Sequence, residues 1–539
     1  MWSRAAEAER SQSGANPIVY VNEAVWDRPS TVKVVAYSVR RGIMDKVPND
    51  ETRAATLLPA GDEPTEDVVL APLADFPRID LRAGVEPWDK RRQAGKAMRA
   101  KVPHQDHAAL RSEPDRPDPV GLIAAAHEGR QAHLIPLRVA RMATSPFAFL
   151  RGAAHVMAWD LSRGPRSGID VVMNGDAHID NFGLFGTPQR DIVLDLNDFD
   201  EVTVGPWEWD LKRLCAGITV ATADAGTPAE SRRAAVMAAV SGYQRTMRRL
   251  APQGSLEVWY QTTRADLAEL GGIRMDPEAR SVVRRSVEKA RRKNNRSLLA
   301  QMAERRIDGG WRFRTDAPIL TPVDETTRQQ VVSGLERYAE TLPRERRFML
   351  DRYQVIDVAH RVVGVGSVGT RAYVALLCGN SDRDALFLQV KEAVRPAHGP
   401  YLPGMPEPYA GHEGERVIYG QRLLQAVGDP LLGWTTIEGR PFYVRQMKNL
   451  KGAIPLSDMS GPSLLTFSYA YGALLARAHA RTGDAAAIAG YCGRGKNPDL
   501  REALADWAAS YAERNAEDFR LFRAAIADGR LEAADDPCL

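Results

Sequence analysis

Cysteine is scarce in this 539-residue chain. Cys215, Cys378, Cys492 and Cys538 stand far apart, and no two of them form a CxxC pair. That spacing excludes a disulfide framework and a zinc knuckle. Net charge is nearly absent too: 72 Lys and Arg against 69 Asp and Glu leave +3, so no overall cationic field gathers nucleic acid nonspecifically. No run approaches the ~18 uncharged apolar residues that suggest a membrane-crossing helix. The opening MWSRAAEAERSQSGANP has no apolar stretch suited to a signal peptide. There is no internal repeat. What is present is ordinary globular material, 44% hydrophobic and 26% charged, which excludes a disordered chain. A cytoplasmic protein is expected, with no membrane and no specific nucleic-acid partner. A prior of roughly 100–200 residues per domain suggests three or four units, or fewer with large insertions.

Residues 1–85 are the least committed part, an N-terminal extension in which PNDETRAATLLPAGDEPTEDVV reads as loop. Residues 86–130 mix charge with proline, which suggests short helices and connections. Apolar spacing predicts an amphipathic helix over 145–163, followed by strands at 169–173 and 191–196. Thr227, Pro228 and Glu230 read as N-cap, first helical residue and capping box of a mostly helical stretch, 228–310. Within it, 280–296 is densely basic, either a solvated face or an attractor of an acidic substrate. The period then switches to strands over 354–393. A helix at 412–427, a hairpin at 431–447 and helices at 464–481 and 500–527 complete the chain.

Four constellations carry possible chemistry. The first is Asn174-Gly175-Asp176-Ala177-His178-Ile179-Asp180-Asn181, directly after a buried-looking strand. An Asp followed five residues later by an Asn suits phosphoryl transfer, because Asp176 can orient an attacking hydroxyl and the Asn181 oxygen can hold Mg²⁺. The second is the carboxylate-rich run Asp195 to Glu201 at the end of the next strand, which offers hard oxygen ligands for Mg²⁺. The third, Gly364-Val365-Gly366-Ser367-Val368-Gly369, leads into strand-forming rather than helix-forming residues. That order is the phosphate-covering flap of kinases, not a dinucleotide fingerprint. The fourth is Lys391, which ends an apolar strand and is suited to reach phosphates. Its expected partner is Glu415, slightly preferred over Glu413, because Glu415 shares a helical stripe with Ile418 and Arg422.

NGDAHIDN resembles the HGDxHxxN catalytic loop of aminoglycoside and choline phosphotransferases, with Asn174 in place of the leading His. IVLDLNDFDE and GPWEWDLKRL resemble their strand–Asp segment and the helix whose Asp, here Asp210, anchors the loop. More closely, SPFAFLRGAA, GDAHIDNFG, LNDFDE, GPWEWDLKRL, GVGSVGTR, GQRLLQA and LLARAHARTGDAAAIAGY together resemble a bacterial domain-of-unknown-function family, number 2252, over about residues 90–530. The phosphotransferase resemblance implies Asp176 as catalytic base, Asn181 and Asp195 as Mg²⁺ ligands with Asp198 as the competing ligand, and Lys391 on the phosphates.

The glycine loop and lysine follow the catalytic loop here, the reverse of the phosphotransferase order. The expectation is therefore an α+β, two-lobed, protein-kinase-like fold in circularly permuted order. Its helical large lobe would come from 86–349 and 448–539, and its β-rich nucleotide lobe from 350–447. Gly364, Gly366, Ser367, Gly369, Lys391 and Glu415 would bind nucleotide, with Gln446 and Met447 as the hinge beside adenine. ATP and Mg²⁺ are the implied cofactors, and a hydroxyl of a small molecule the acceptor. The alternatives are a nucleotide-binding pseudokinase, a metal-dependent phosphohydrolase with Asp176, His178, Asp180 and the 195–200 carboxylates as its metal cluster, and an AMP transferase. Arg138, Arg141 and Arg151 would either clamp an anion or form salt bridges. His479 is expected to be buried and hydrogen-bonded, and Cys492 has no neighbouring base to make it a nucleophile.

Overall fold

The computed structural model describes residues 86–534, apart from short stretches at 112–113, 266–268, 271–272, 308, 363, 382, 403–410, 448–449 and 494–498. The expected extension, 1–85, lies outside the described residues. The helices are α1 (Trp88–Lys101), α2 (Pro119–Ala125), α3 (Ile135–Met142), α4 (Pro146–Gly152), α5 (Ala154–Ser162), α6 (Trp207–Asp224), α7 (Ala229–Leu250) and α8 (Pro277–Arg291). They continue with α9 (Glu325–Glu340), α10 (Glu413–Leu424), α11 (Gly461–Thr482), α12 (Ala485–Cys492) and α13 (Asp499–Ala527), besides several short turns of helix. None of the described helices is long and apolar enough to cross a membrane.

The strands are β1 (Asp170–Met173), β2 (Phe182–Gly186), β3 (Ile192–Leu196), β4 (Thr203–Pro206), β5 (Leu320–Pro322), β6 (Gln354–Arg361), β7 (Ala372–Cys378) and β8 (Ala385–Glu392). β9 (Gly433–Ile437), β10 (Arg440–Gln446) and β11 (Gly452–Ala453) follow, with two small hairpins elsewhere. The fold is thus mixed α+β. Its largest sheet has six strands in the order β9-β10-β8-β7-β6-β5, and its paired strands are antiparallel.

Strand alternation sends side chains to opposite faces of that sheet. Leu386, Leu388 and Val390 of β8 join Val331, Leu335 and Tyr338 of α9 in one apolar cluster. Ala385 and Phe387 face the other way, with Met447 and with Leu298 and Leu299 of a short helix. Lys391 shares that second parity. The remaining helices bury a larger core around α6, α7, α11 and α12, and β1 to β3 insert their apolar residues into it.

Two expected features differ in detail. The helix over 145–163 is two helices, because Ala153 leaves helical geometry (φ −107, ψ 38) and turns the chain between α4 and α5. At α7 the cap is Pro228, not Thr227, and no side chain caps the helix.

Candidate active site

The loop after β1 turns sharply at Gly175, whose φ is +79 and whose missing Cβ would sit 2.1 Å from the Glu201 carbonyl oxygen. Only glycine permits both the left-handed backbone and that approach. The turn is fastened from below. Asp210 of α6 accepts backbone N–H bonds from Asn174 (2.6 Å) and Gly175 (2.9 Å), and His479 of α11 lies 3.1 Å from the same carboxylate. His479 also pairs with the Tyr243 hydroxyl at 2.8 Å, so it is buried and bonded at both ring nitrogens. Asp210 therefore braces the loop.

Asn174 and Asn181 stitch this loop to the one after β3. The Asn174 amide donates to the Asp198 carbonyl (2.6 Å), and the Asn181 amide donates to Asn174 Oδ1, Asp176 O and Asp198 O. Asn181 Oδ1 in turn accepts the Asp198 N–H at 2.7 Å. Both asparagines are buried. Their first role is to hold Asp176 and Asp198 at fixed positions.

Asp176, Asp198, Asp200, Glu201 and Glu392 line a cavity. Gly364, Val365, Gly366 and Ser367 line the same cavity, as do Arg130, Arg138, Arg151 and His155. Asp176 is gripped by Arg213 of α6, whose Nε donates at 2.9 Å, and His178 Nε2 lies 3.5 Å away. Burial works against ionisation of Asp176, but His178 and Arg213 outweigh it and hold the carboxyl well below the usual range. Asp198 behaves similarly. Burial opposes its charge, while Lys391, Arg445 and Lys451 lower its pKa. Its Oδ1 is buried without a hydrogen-bond partner. A carboxylate oxygen buried without a partner among the described residues is costly, and on a residue that lines a cavity it suits a hard cation. Among the described residues no three His, Cys, Asp or Glu converge as a cage, so a cation here would draw its other ligands from a substrate.

Asp195, the first-choice ligand from sequence, points elsewhere. It pairs with buried Arg477 of α11 and caps the Leu196 N–H at 2.9 Å, and it is absent from the cavity wall. β3 ends at Leu196, so Asp195 lies within the buried strand and Asp198 in the loop beyond it.

Lys391 does not pair with the helix after its strand, which corrects the expectation for Glu415. Its ammonium contacts Asp200, whose other oxygen accepts the Tyr443 hydroxyl at 2.8 Å. Burial disfavours the Lys391 charge, but Asp200 reverses the effect and raises its pKa. The reason lies in Arg416. It fills the inward face of α10 and donates to the carbonyls of Asp200, Val202 and Val394, while Glu413 pairs with Arg416 itself. Glu415 is left on a half-buried face where burial raises its pKa and Arg422 opposes that.

Gln446 and Met447 also lie off the cavity wall. The Gln446 N–H binds Asp429 (2.5 Å), and Met447 packs into the apolar cluster with Phe387. Gly369 does not line the cavity either; it has φ +92, and its carbonyl accepts the Gln131 N–H at 2.8 Å. Arg151 pairs with Asp180 at 3.0 Å. The basic stretch around 280–296 keeps its apolar residues Val282, Val283, Val287 and Ala290 buried and lines no part of the cavity.

Arg130, His155 and Arg213 carry no motif of their own, and sequence reasoning passes over them. Arg213 was reachable, three residues beyond Asp210 on the same helix. Glu201 stands in the acidic run, and burial raises its pKa to about 7.

The chain belongs to the bacterial family described as "Uncharacterized protein conserved in bacteria (DUF2252)", whose model matches residues 130–525. No curated protein and no solved structure matches it.

Proposed function

We propose that this protein is an ATP- and Mg²⁺-dependent phosphotransferase acting on a hydroxyl of a small molecule, with a protein-kinase-like site assembled in circularly permuted order. One observation carries the reading: Asp176, Asp198 and the loop Gly364–Ser367 share a single cavity. The Lys391–Asp200 contact, across 191 positions, ties the same segments together. A polar loop or a glycine hairpin alone is common, whereas their convergence has no structural necessity. The chain order from β6 through the glycine loop, β7, the lysine strand β8 and then α10 is also the order of the kinase nucleotide lobe.

In this reading Asp176 receives and orients the attacking hydroxyl. Its carboxylate is weakly basic because His178 and Arg213 favour its charge, which suits a loose transition state where positioning counts for more than early proton removal. Asp198 would hold Mg²⁺ through its unpartnered oxygen, while Asn181, whose oxygen accepts the Asp198 N–H, would position Asp198 rather than reach the ion, and Asp195 serves as a structural ion pair. Bound there, Mg²⁺ neutralises the charge of the phosphates. Lys391 supplies the fixed positive charge beside them, with Asp200 in the place usually held by a helix glutamate.

Thermal-shift titration tests the first half: ATP with Mg²⁺ should stabilise the protein beyond Mg²⁺ alone, and no difference would remove nucleotide binding. ATP consumption screened against sugars, amino alcohols, aminoglycosides and protein substrates tests the second half. Asp176→Ala should abolish turnover while ATP still stabilises the fold. Equal turnover in wild type and variant would remove Asp176 from the chemistry.

A further inference from the structure

The carboxylates of the cavity draw attention, but its arginines pose the sharper electrostatic problem. Arg213 and Arg151 have carboxylate partners, Asp176 and Asp180. Among the described residues Arg130 and Arg138 have none. Arg138, only 1% exposed, donates to the Gly152 carbonyl (2.6 Å) and to His127 Nε2 (2.8 Å), and its Nε is buried without a partner. Arg130 donates to the carbonyls of Ala126 (2.8 Å) and Val368 (2.7 Å).

Every acceptor on these two guanidiniums is neutral. His127 and His155 are pushed down to about 4, by burial first and then by Arg138 and Arg130, so both imidazoles are uncharged at neutral pH. Glu201, Asp200 and Glu392 favour the charge on Arg130, and Glu201 that on Arg138, yet among the described residues none forms an ion pair with either arginine; Asp200 pairs with Lys391, and Glu392 with Arg371 and Arg440. An arginine cannot shed its proton to escape this cost, and a buried guanidinium without a counter-charge is expensive.

We propose that Arg130 and Arg138 form an oxyanion subsite that receives a phosphate or carboxylate group of the ligand. The subsite is pre-positioned. Arg138 projects from α3, and the Val368 carbonyl ties Arg130 to the glycine loop. The missing Cβ of Gly366 would lie 3.3 Å from the Arg151 carbonyl, so the loop rests directly on the end of α4. The planar guanidinium fork matches both oxyanions. The group bound is either an anionic substituent of the acceptor or the terminal phosphate of the nucleotide. The inference rests on the phosphotransfer reading only in treating the cavity as a substrate site.

Inorganic phosphate is the probe, titrated calorimetrically into the full chain at constant ionic strength. The titration is made alone, with ADP and Mg²⁺, and with a non-hydrolysable ATP analogue and Mg²⁺. Saturable binding is expected, weakened about tenfold or more by Arg138→Gln and by Arg130→Gln, with Arg138→Lys intermediate because it keeps the charge and loses the fork. Phosphate that still binds beside the ATP analogue assigns the subsite to the acceptor. Phosphate displaced by the analogue but not by ADP assigns it to the terminal phosphate. Absence of saturable binding overturns the proposal, as does binding that Arg130→Gln leaves unchanged. Arg130 is half-buried, so that variant decides even where Arg138→Gln fails to fold. Arginine-dependent phosphate binding without any nucleotide binding would overturn the phosphotransfer reading and leave the subsite standing.

Discussion

Lys391 and Asp200 show how a residue pair can be read correctly in kind and wrongly in partner. The lysine at the end of an apolar strand was visible in sequence, and so was its need for a carboxylate. Which carboxylate reaches it depends on Arg416 filling the inner face of α10. A buried pair broken on one side leaves the other charge stranded. Lys391→Met should therefore cost about 3–5 kcal/mol in urea unfolding, and Lys391→Met with Asp200→Asn should recover much of it. Additive losses would show that the two side chains do not depend on one another.

Glu208 gives a prediction of a different kind. It is buried in the first turn of α6, where it accepts from the Ser167 N–H at 2.5 Å and the Ser167 hydroxyl at 3.0 Å. Burial raises its pKa from 4.5 to about 7, against those hydrogen bonds and Lys212. The folded state thus holds a proton that the unfolded chain releases first. The stabilisation is full below about pH 4.5 and is lost as pH rises through about 7. Glu208→Gln should flatten that part of the stability–pH curve by a few kcal/mol. Denaturant midpoints between pH 4 and 8 read this directly.

At the scale of elements, helix periodicity and strand alternation locate most pieces within a few residues. The strands at 354–393, the helix at 412–427 and the hairpin at 431–447 correspond to β6 to β8, α10 and the β9–β10 pair. Boundaries failed where tertiary packing overrode local preference, as at Ala153, where the chain breaks one apparent helix to bring His155 to the cavity wall. Packing also sets the value of single glycines. The missing Cβ of Gly472 on α11 would lie 1.9 Å from the Ala239 carbonyl of α7, and that of Gly242 on α7 2.0 Å from the Tyr469 carbonyl. Helix propensity alone predicts that Gly472→Ala stabilises by about 1 kcal/mol. Contact predicts the reverse, because α7 and α11 must move apart, and thermal unfolding should show a lower Tm for Gly472→Ala. An unchanged or higher Tm would mean that the crossing adjusts at no cost.

For the whole molecule, the last helix closes on segments from the beginning of the described chain. Phe519 and Phe522 of α13 pack with Phe149 of α4, and Arg116 bridges Asp160 and Asp518 with bonds of 2.7–3.0 Å. Removing residues from 499 onward strips Arg116 of one partner and uncovers the α4 aromatic face. Such a truncation should lose near-ultraviolet circular dichroism and bind a hydrophobic dye while keeping helical signal. A truncated chain with native near-ultraviolet signal would show that α13 is dispensable.

The sequence by itself determined the local material: a mixed α+β chain, strand–glycine loop–strand, polar loops after β1 and β3, and one lysine on an apolar strand. Those follow from periodicity and backbone preference, which act over a few residues. Tertiary structure alone decided that Asp198 and not Asp195 reaches the cavity, that Asp200 neutralises Lys391, and that Arg130 and Arg138 line the carboxylates' cavity with no ion pair among the described residues. These outcomes depend on burial and on charges many residues apart in the chain. Coulomb energy and desolvation are set by distance in space, which residue spacing does not encode.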